Sequence, residues 1–246
     1  MRMSKPVLLV AGGSRGIGAA VAKLAGKSGY DVAVNYHTNA NAATAVIKDI
    51  EAFGGRAIAL QGDMGREADI ERVFAETDKF GTLTHFVHSS GIIGPMSRLD
   101  EASTETIRAA LDVDTFGALL CLRASIRRMS TRHGGKGGSI VMISSMAAVI
   151  GGATECIWYA AAKGAVDSMV IGAGRELAGE GIRVNGVSPG MIDTDIQPPG
   201  RIEKHMGGVP IGRAGSADEV ADGVLYLLSD KASYVTGSNL RISGGR

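Results

Sequence analysis

The stretch Pro6 to Gly18, PVLLVAGGSRGIG, joins a continuous apolar run to a turn that is rich in glycine. The apolar run is typical of a strand buried on both faces, and a helix is predicted from Ile17 to about Lys27. Glycines in this turn would let backbone amides approach a pyrophosphate at the positive end of that helix. The spacing is neither a P-loop nor G-x-G-x-x-G. A plain tight turn is the alternative, but its place after the first strand favours a nucleotide site.

Strands and helices alternate along the rest of the chain. The later strands are predicted at YDVAVNY, RAIALQGD, LTHFVHSSG, GSIVMISS, IRVNGVSPG and NLRIS. Helices are predicted up to residue 53, between the third and fourth strands, over 103–132, over WYAAAKGAVDSMVIGAGRELAG and over 217–229. This alternation predicts an α/β fold of βαβ units, with a doubly wound, seven-stranded parallel sheet and helices on both faces.

No linker, repeat or charge block divides the sequence, so we expect one domain over residues 1–246. The segment 193–215 differs in composition from the rest of the chain, because it contains QPPG and GG. A loop of that length inside a compact domain is usually functional or disordered. We expect it to be a substrate lid, with a mere surface connection as the alternative.

The composition argues against several classes of protein. The net charge of +1 gives no reason to expect nucleic acid or an anionic membrane as a partner. The apolar run at the start is too short for a signal peptide, and no run approaches the ~18 residues of a membrane span. We therefore expect a cytoplasmic protein. The two cysteines and five histidines show no metal-ligand spacing, so no metal is expected.

The choice between the two nicotinamide dinucleotides depends on the end of the second strand. An NAD site usually places an acid there to hold the ribose 2′-hydroxyl, but this chain reads VNYHT. Asp31 lies at the opposite end of that strand. Arg15, in the glycine turn, could clamp a 2′-phosphate, unless it is only a solvated loop charge. The sequence thus favours NADP(H) over NAD(H).

The stretch YAAAK places Tyr159 and Lys163 one helical turn apart on the same face. A nearby ammonium favours the phenolate, so Lys163 is expected to lower the pKa of Tyr159. Tyr159 would then donate a proton to a carbonyl oxygen, or remove it in the reverse direction. Ser145, at the end of the fifth strand, could hydrogen bond the same oxygen. Alone, such a Tyr–Lys pair is a weak signal.

Several motifs occur in order along the chain: AGGSRGIG, HSSG, SS before YAAAK, RVNGVSPG and VTGSNLRISGG. Together they resemble the short-chain dehydrogenase/reductase family over essentially the whole chain, and its 3-oxoacyl-carrier-protein reductase and glucose dehydrogenase-like members in particular. The resemblance implies a Rossmann-type domain, usually in a homotetramer or homodimer. It also implies Ser145, Tyr159 and Lys163 as catalytic residues.

The resemblance further implies how the cofactor is held. Lys163 would bind the nicotinamide ribose, Asp63 would contact the adenine, and the segment from Pro189 would surround the nicotinamide. The residues expected to bind the cofactor are Gly12, Ser14, Arg15, Gly16, Ile17, Gly18, Asn35, Asp63, Met64, Ser89, Gly91, Tyr159, Lys163, Pro189, Gly190, Ile192 and Thr194.

Two positions depart from the family pattern. The family often has Asn-Asn-Ala-Gly where this chain has HSSG, which keeps Gly91 and introduces His88. We expect His88 to be buried with its hydrogen bonds satisfied, although it could reach the cofactor or solvent. In LDVDTFG, Asp114 replaces the usual catalytic Asn, which supports a water-linked proton path to the lysine. We include Asp114 among the catalytic residues, with its ionisation open.

The motifs predict an NADP(H)-dependent oxidoreductase that interconverts a small-molecule ketone or aldehyde and an alcohol. The substrate could be a 3-oxoacyl thioester, or a sugar, polyol or other small carbonyl compound. A thioester reductase would need basic residues near the cleft, and the lid offers Arg201, Lys204 and Arg213. A catalytically weak, NADP-binding sensor or scaffold is the rival from another class.

Overall fold

The computed structural model describes residues 5–246, and within them seven strands form one parallel sheet. The strands are β1 (Val7–Ala11), β2 (Asp31–Tyr36), β3 (Arg56–Gln61), β4 (Leu83–His88), β5 (Gly138–Ile143), β6 (Ile182–Pro189) and β7 (Asn239–Ile242). Their order across the sheet is β3-β2-β1-β4-β5-β6-β7, and every pairing is parallel. The predicted α/β fold with its doubly wound sheet is confirmed.

Helices cover both faces of this sheet. They are α1 (Gly16–Lys27), α2 (Ala40–Ala52), α3 (Glu67–Phe80), α4 (Thr104–Leu111), α5 (Ala118–Met129), α6 (Ala147–Ile150), α7 (Ile157–Leu177), α8 (Arg201–His205) and α9 (Ala217–Leu228). Strand β1 shows why two layers are needed, because all five of its residues are buried. Leu9 and Ala11 pack into one core, while Leu8 and Val10 pack into the other.

The order of the strands places the functional edge of the sheet. From β1 the chain builds the sheet outward through β2 and β3, and then returns to the other side of β1 with β4. The crevice at such a reversal, outside the carboxyl ends of the strands, is where open α/β sheets bind their ligands. The glycine turn after β1 and the HSSG segment after β4 both lie there.

Two segments differ from the sequence-based expectation. The helix predicted over 103–132 is interrupted by one π-helical segment, Asp112–Gly117, between α4 and α5. The stretch 193–215 contains α8 and a short 3₁₀ turn, Met206–Gly208, rather than a loop alone. Within residues 5–246, no helix is both long enough and apolar enough to cross a membrane.

Candidate active site

A cavity of about 960 Å³ opens at the carboxyl ends of the central strands. Its walls are the turn after β1, the segments that follow β2 to β6, the first two turns of α7 and part of the segment 193–215, called the lid below. Among the residues expected to act in the site, those that line it are Gly12, Ser14, Arg15, Gly16, Ile17, Asn35, Asp63, Met64, Ser89, Gly91, Ser145, Tyr159, Lys163, Pro189, Gly190, Ile192 and Thr194. Gly18 and Asp114 lie outside this lining.

The glycine turn needs its glycines for different reasons. Gly12 has a φ of +73°, and a Cβ there would lie 2.7 Å from the backbone nitrogen of Ser90. A Cβ on Gly18 would lie 2.1 Å from the carbonyl oxygen of Gly12. Gly18 is therefore a packing residue that lets α1 approach the turn. It does not line the cavity, and its direct contact with a cofactor stays a prediction.

The start of α1 is open to an anion. No side chain caps this helix among the described residues, and its first turn carries no acid. Its amide donors, together with the positive end of the helix dipole, face the cavity beside Gly16 and Ile17. The glycine cradle and the uncapped helix end fit the pyrophosphate of a dinucleotide.

Asn35 links the glycine turn to the end of β3 through its side-chain hydrogen bonds. Its side chain accepts a hydrogen bond from the Gly12 amide at 3.1 Å and donates to the carbonyl oxygens of Leu60 and Gly62 at 3.2 and 3.0 Å. With its side-chain groups used in this way, Asn35 holds β1, β2 and β3 in register at the cavity floor. We assign it a supporting role, although it also lines the cavity.

The polar groups near the end of β2 are those that would meet the ribose of a bound dinucleotide. Asp31 lies at the start of that strand, as expected, and its carboxylate pairs with Arg56 at 2.7 Å. The end of β2 continues into Tyr36 and His37, which line the cavity without adding an acid. Arg15 is exposed at the N-terminus of α1 and lines the same region. This arrangement leaves a guanidinium, and no carboxylate from β2, beside the expected ribose.

Asp63 lies across this region on the turn after β3. Its Oδ1 accepts a hydrogen bond from the Gly65 amide at 2.9 Å, and its Oδ2 lies 3.9 Å from His37 Nε2. Its own amide donates to Asp69, which fixes the turn to the start of α3. Met64 follows as a buried residue that still reaches the cavity wall.

Ser145, Tyr159 and Lys163 are brought to the same cavity by β5 and α7. The ammonium of Lys163 lies 5.5 Å from the centre of the Tyr159 ring and donates to the Ile143 carbonyl oxygen at 3.1 Å. Ser144 donates from its hydroxyl to the Lys163 carbonyl oxygen at 3.1 Å, which ties α7 to the end of β5. The two elements thus fix the relative positions of the three side chains.

Lys163 acts on the pKa of Tyr159 in the expected, lowering direction, but the net shift of that pKa is upward. Burial raises the pKa of Tyr159 above its ordinary value, and Asp114 raises it further, although Lys163 and hydrogen bonding to Ser145 act in the lowering direction. Lys163 does favour the phenolate, as the spacing of YAAAK suggests. Its effect is outweighed because the phenol is withdrawn from water and a second charge stands nearby.

That second charge belongs to Asp114, which is fully buried. Its Oδ1 lies 3.2 Å from Lys163 Nζ, and its Oδ2 accepts a hydrogen bond from the Ile92 amide at 3.3 Å. Burial raises the pKa of Asp114, with Lys163 opposing the rise. For Lys163, burial lowers the pKa, but Asp114 and Tyr159 outweigh it and raise the pKa overall. Asp114 acts on the site through its contact with Lys163 and through its charge near Tyr159.

One glycine makes room for this buried ion pair, and another makes room for the segment that carries Asp114. A Cβ on Gly91 would lie 2.5 Å from Asp114 Oδ1 and 3.1 Å from Lys163 Nζ. A Cβ on Gly117 would lie 1.9 Å from the carbonyl oxygen of Met64. Gly117 ends the π-helical segment that carries Asp114. Such π-helical insertions are frequent at functional sites, and this one places Asp114 against α7.

His88 is buried, as expected, but its hydrogen bonds are not satisfied. Neither ring nitrogen has a hydrogen-bond partner among residues 5–246. Burial and the neighbouring charge of Lys163 lower the pKa of His88 to about 3, so the ring is neutral at physiological pH. The expectation of a satisfied core histidine is therefore wrong in this respect.

The segment after β6 lines the cavity beside the glycine turn. The Pro189 carbonyl oxygen accepts a hydrogen bond from the Met146 amide at 2.9 Å. Ile192 forms an isolated parallel bridge with Gly215, which joins the two ends of the lid. A Cβ on Gly16 would lie 3.5 Å from the Thr194 side chain, so the start of the lid stands directly over the turn.

The lid reaches the cavity through 194–198 and through Arg201, Lys204 and His205. Arg213 does not line it; its guanidinium binds Glu219, which caps α9. Sequence reasoning missed Glu155, the residue on which the three basic side chains of α8 converge. A signal was present in RIEKH, 201–205, where three basic residues within one short run indicate the need for an anion.

Comparisons with known proteins agree with this geometry. A family model described as "Enoyl-(Acyl carrier protein) reductase" matches residues 11–246. An uncharacterized oxidoreductase of Escherichia coli, YgfF, is 41% identical and covers 98% of this chain and 99% of its own. A 3-oxoacyl-[acyl-carrier-protein] reductase of Synechocystis sp. is 34% identical over 99% of this chain and 97% of its own.

A solved structure gives the same result. A short-chain dehydrogenase from Burkholderia cenocepacia, determined in complex with NADP, matches with a TM-score of 0.91 and 34% identity, covering 100% of this chain and 99% of its own. The fold, the order of the motifs and these matches define an oxidoreductase that acts on CH–OH groups. The chain belongs to the short-chain dehydrogenase/reductase family.

Proposed function

We propose that this protein is an NADP(H)-dependent oxidoreductase that interconverts a ketone or aldehyde and an alcohol, with Tyr159 as the acid and base. The observation that carries the proposal is the convergence of Ser145, Tyr159 and Lys163 on the cavity that also contains the uncapped start of α1. A dinucleotide held at the glycine turn would extend toward these side chains.

Each side chain then has a defined task. When bound, the nicotinamide supplies or accepts the hydride. Tyr159 donates its phenolic proton to the carbonyl oxygen in reduction and removes the proton from the hydroxyl in oxidation. Ser145 donates a hydrogen bond to the same oxygen. Lys163 stabilises the phenolate by its charge, and its other partners, Asp114 and Ile143, keep it in place.

The preference for NADP(H) rests on Arg15 and on the absence of an acid at the end of β2 in the described chain. Arg15→Gln should raise the KM for NADPH about tenfold or more and leave the KM for NADH nearly unchanged, because only the phosphate loses a charged partner. Arg66→Gln, on the neighbouring turn outside the cavity, is the control. An equal loss with both cofactors would contradict the assignment.

A 3-oxoacyl thioester is the more specific alternative substrate, and the Synechocystis relative supports it. The basic residues that a carrier's phosphate would need are already engaged, since Arg201 and Lys204 bind Glu155 and Arg213 binds Glu219. A catalytically weak sensor is the second alternative. The pairing of Lys163 with Asp114 favours it, because the pairing opposes formation of the phenolate.

The test follows NADPH consumption at the nicotinamide absorbance, against aliphatic ketones, diketones, quinones, sugars and acyl thioesters. Tyr159→Phe should lower kcat by about a thousandfold while leaving NADPH binding intact, since general acid catalysis contributes roughly 10²–10⁴. Tyr234→Phe, which alters a fully exposed ring, is the matched control. Tight NADPH binding with no turnover on any compound would favour the sensor.

A further inference from the structure

Glu155 gathers the basic side chains of the lid helix α8 into one cluster. Lys204 Nζ and His205 Nε2 each lie 2.7 Å from its Oε1, and Arg201 Nε donates to its Oε2 at 3.2 Å. Glu155 is only 9% exposed, and all four residues line the cavity. The charges of the lid are thus bound in the wall of the cavity by a carboxylate from the segment that precedes α7.

The structure around Glu155 holds this carboxylate in its charged form and in one place. Burial would raise the pKa of Glu155, but the hydrogen bonds from Lys204, His205 and Arg201 lower it to about 2. Its backbone oxygen accepts a hydrogen bond from Ser97 at 3.0 Å. The preceding residue, Thr154, has a φ of +63°, a strained conformation that persists only where the surroundings fix it.

Several side chains of the cavity wall are apolar and accessible. Ile92 follows Gly91, Ile150 ends the short helix after Ser145, and Ile196 lies in the lid; they are 38%, 49% and 42% exposed, and all three line the cavity. Met96, Met146 and Met191 line it as well. Large apolar side chains left accessible on a cavity wall mark a surface that gains from burial against an apolar ligand.

Glu155 carries one negative charge against the two positive charges of Arg201 and Lys204, so it occupies their donor groups without cancelling their charge. Its removal would leave both cations without the anion that binds them. Asp195, also on the lid, and Arg246 are the remaining charged groups on the cavity wall outside the glycine turn, Asp63 and the catalytic cluster. We propose that Glu155 determines specificity: by binding the basic side chains of the lid, it makes the substrate half of the cavity select a neutral, largely apolar carbonyl compound over an anionic one. This inference rests on the proposed function.

The test compares kcat/KM for two ketones of equal length. One is an unsubstituted methyl ketone with a chain of about eight carbons, and the other carries a carboxylate at the far end. The wild-type protein should prefer the neutral ketone about tenfold or more. Glu155→Gln should reduce that preference by about tenfold. Arg201 and Lys204 would then no longer be bound by a carboxylate and could attract the anionic substrate.

Three further variants separate charge from damage to the fold. Glu203→Gln removes the same charge from the exposed face of α8, and the preference should stay as in the wild type. Glu155→Asp keeps the charge and should keep the preference even if turnover falls. Lys204→Met removes a cation and should increase the preference for the neutral ketone. A wild-type preference for the keto acid, or a preference that Glu155→Gln leaves unchanged, would overturn the proposal.

A binding measurement distinguishes failure of this inference from failure of the proposed function. The secondary alcohol and the hydroxy acid that correspond to the two ketones are titrated calorimetrically into the NADP-loaded protein. If neither ketone is reduced but the alcohol binds more tightly, and Glu155→Gln removes that difference, the specificity inference stands without the activity. If the ketones are reduced but neither turnover nor binding responds to Glu155→Gln, the inference fails and the activity stands.

Discussion

Asp114 shows how a single residue changes the balance of charge around the phenol of Tyr159. Its carboxylate shares the ammonium of Lys163 at 3.2 Å and raises the pKa of Tyr159. A lysine that is partly neutralised by a carboxylate stabilises the phenolate less than a lysine alone. The residue therefore tunes the tyrosine without lining the cavity.

Asp114→Asn should shift the pH dependence of alcohol oxidation toward acid. In the proposed mechanism oxidation needs the phenolate, so activity should rise as pH passes the pKa of Tyr159. Removing a charge that raises the pKa of Tyr159 lowers that pKa, so the rise in activity should move to lower pH. The Asn side chain still offers an oxygen to the Ile92 amide, which preserves the turn. The measurement is kcat against pH between neutral and strongly alkaline buffer.

Asp112→Asn provides the matched control for that profile. Asp112 begins the same π-helical segment but is exposed, so its charge is screened by solvent. Its replacement should leave the profile within about 0.2 pH units of the wild type. An Asp114→Asn profile that stays unchanged or moves toward alkali would show that Asp114 does not control the phenol.

At the scale of elements, the π-helical segment Asp112–Gly117 depends on a contact with a distant turn. Gly117 packs on the backbone of Met64, where a Cβ would lie 1.9 Å from the carbonyl oxygen. Gly117→Ala must therefore displace α5 or the turn after β3. We expect a loss of about 1–3 kcal/mol of stability, a fall in thermal midpoint of about 5 °C, and lower activity as Asp114 moves.

Gly172→Ala tests the same substitution where nothing opposes it. A Cβ on Gly172, in α7, meets open space, and alanine favours a helix over glycine by about 0.8–1.0 kcal/mol. Its thermal midpoint should stay level or rise. If both alanine variants changed stability in the same direction and amount, the close approach at Gly117 would not be the cause.

Elements with local signals could be predicted from the sequence, and those that depend on distant contacts could not. Apolar runs predicted the strands, and helical periodicity predicted α1, α7 and α9 close to their bounds, because burial sets both patterns. The π-helical segment left no local signal, since it follows from the fit of Gly117 to Met64. The Glu155 cluster joins residues 46 to 50 positions apart, beyond any local pattern.

The candidate site shows the same difference between what local sequence signals predict and what depends on distant contacts. Motif resemblance indicated Ser145, Tyr159 and Lys163, and the structure places them in one cavity. The direction of the Tyr159 pKa could not be read from YAAAK, because spacing reports a neighbour and not the extent of burial. The free energy of withdrawing the phenol from water depends on the whole cavity.

At the scale of the whole molecule, two groups of exposed apolar side chains lie outside the lining of the cavity. Leu111, Phe116 and Leu119 are 40%, 51% and 47% exposed along α4, the π-helical segment and α5. A second group, Tyr226, Tyr234 and Leu240, lies on α9, the turn that follows it and the edge strand β7. Accessible apolar groups of this kind mark association surfaces, and two different self-complementary surfaces suffice to build a tetramer with two-fold axes.

We therefore expect a homotetramer in solution, and expect Phe116→Ser combined with Leu119→Ser to divide it into dimers. Polar side chains at the centre of an interface lose the apolar burial that drives association, about 25 cal/mol per Å², while changing little in the separate chain. Light scattering after size-exclusion chromatography should give four chain masses for the wild type and two for the double variant, with unchanged circular dichroism.

Phe53→Ser, at an exposed position that follows α2, is the control and should keep the mass of four chains. A wild type that elutes at one chain mass, or a double variant with the mass of the wild type, would show that α4 and α5 do not form the interface.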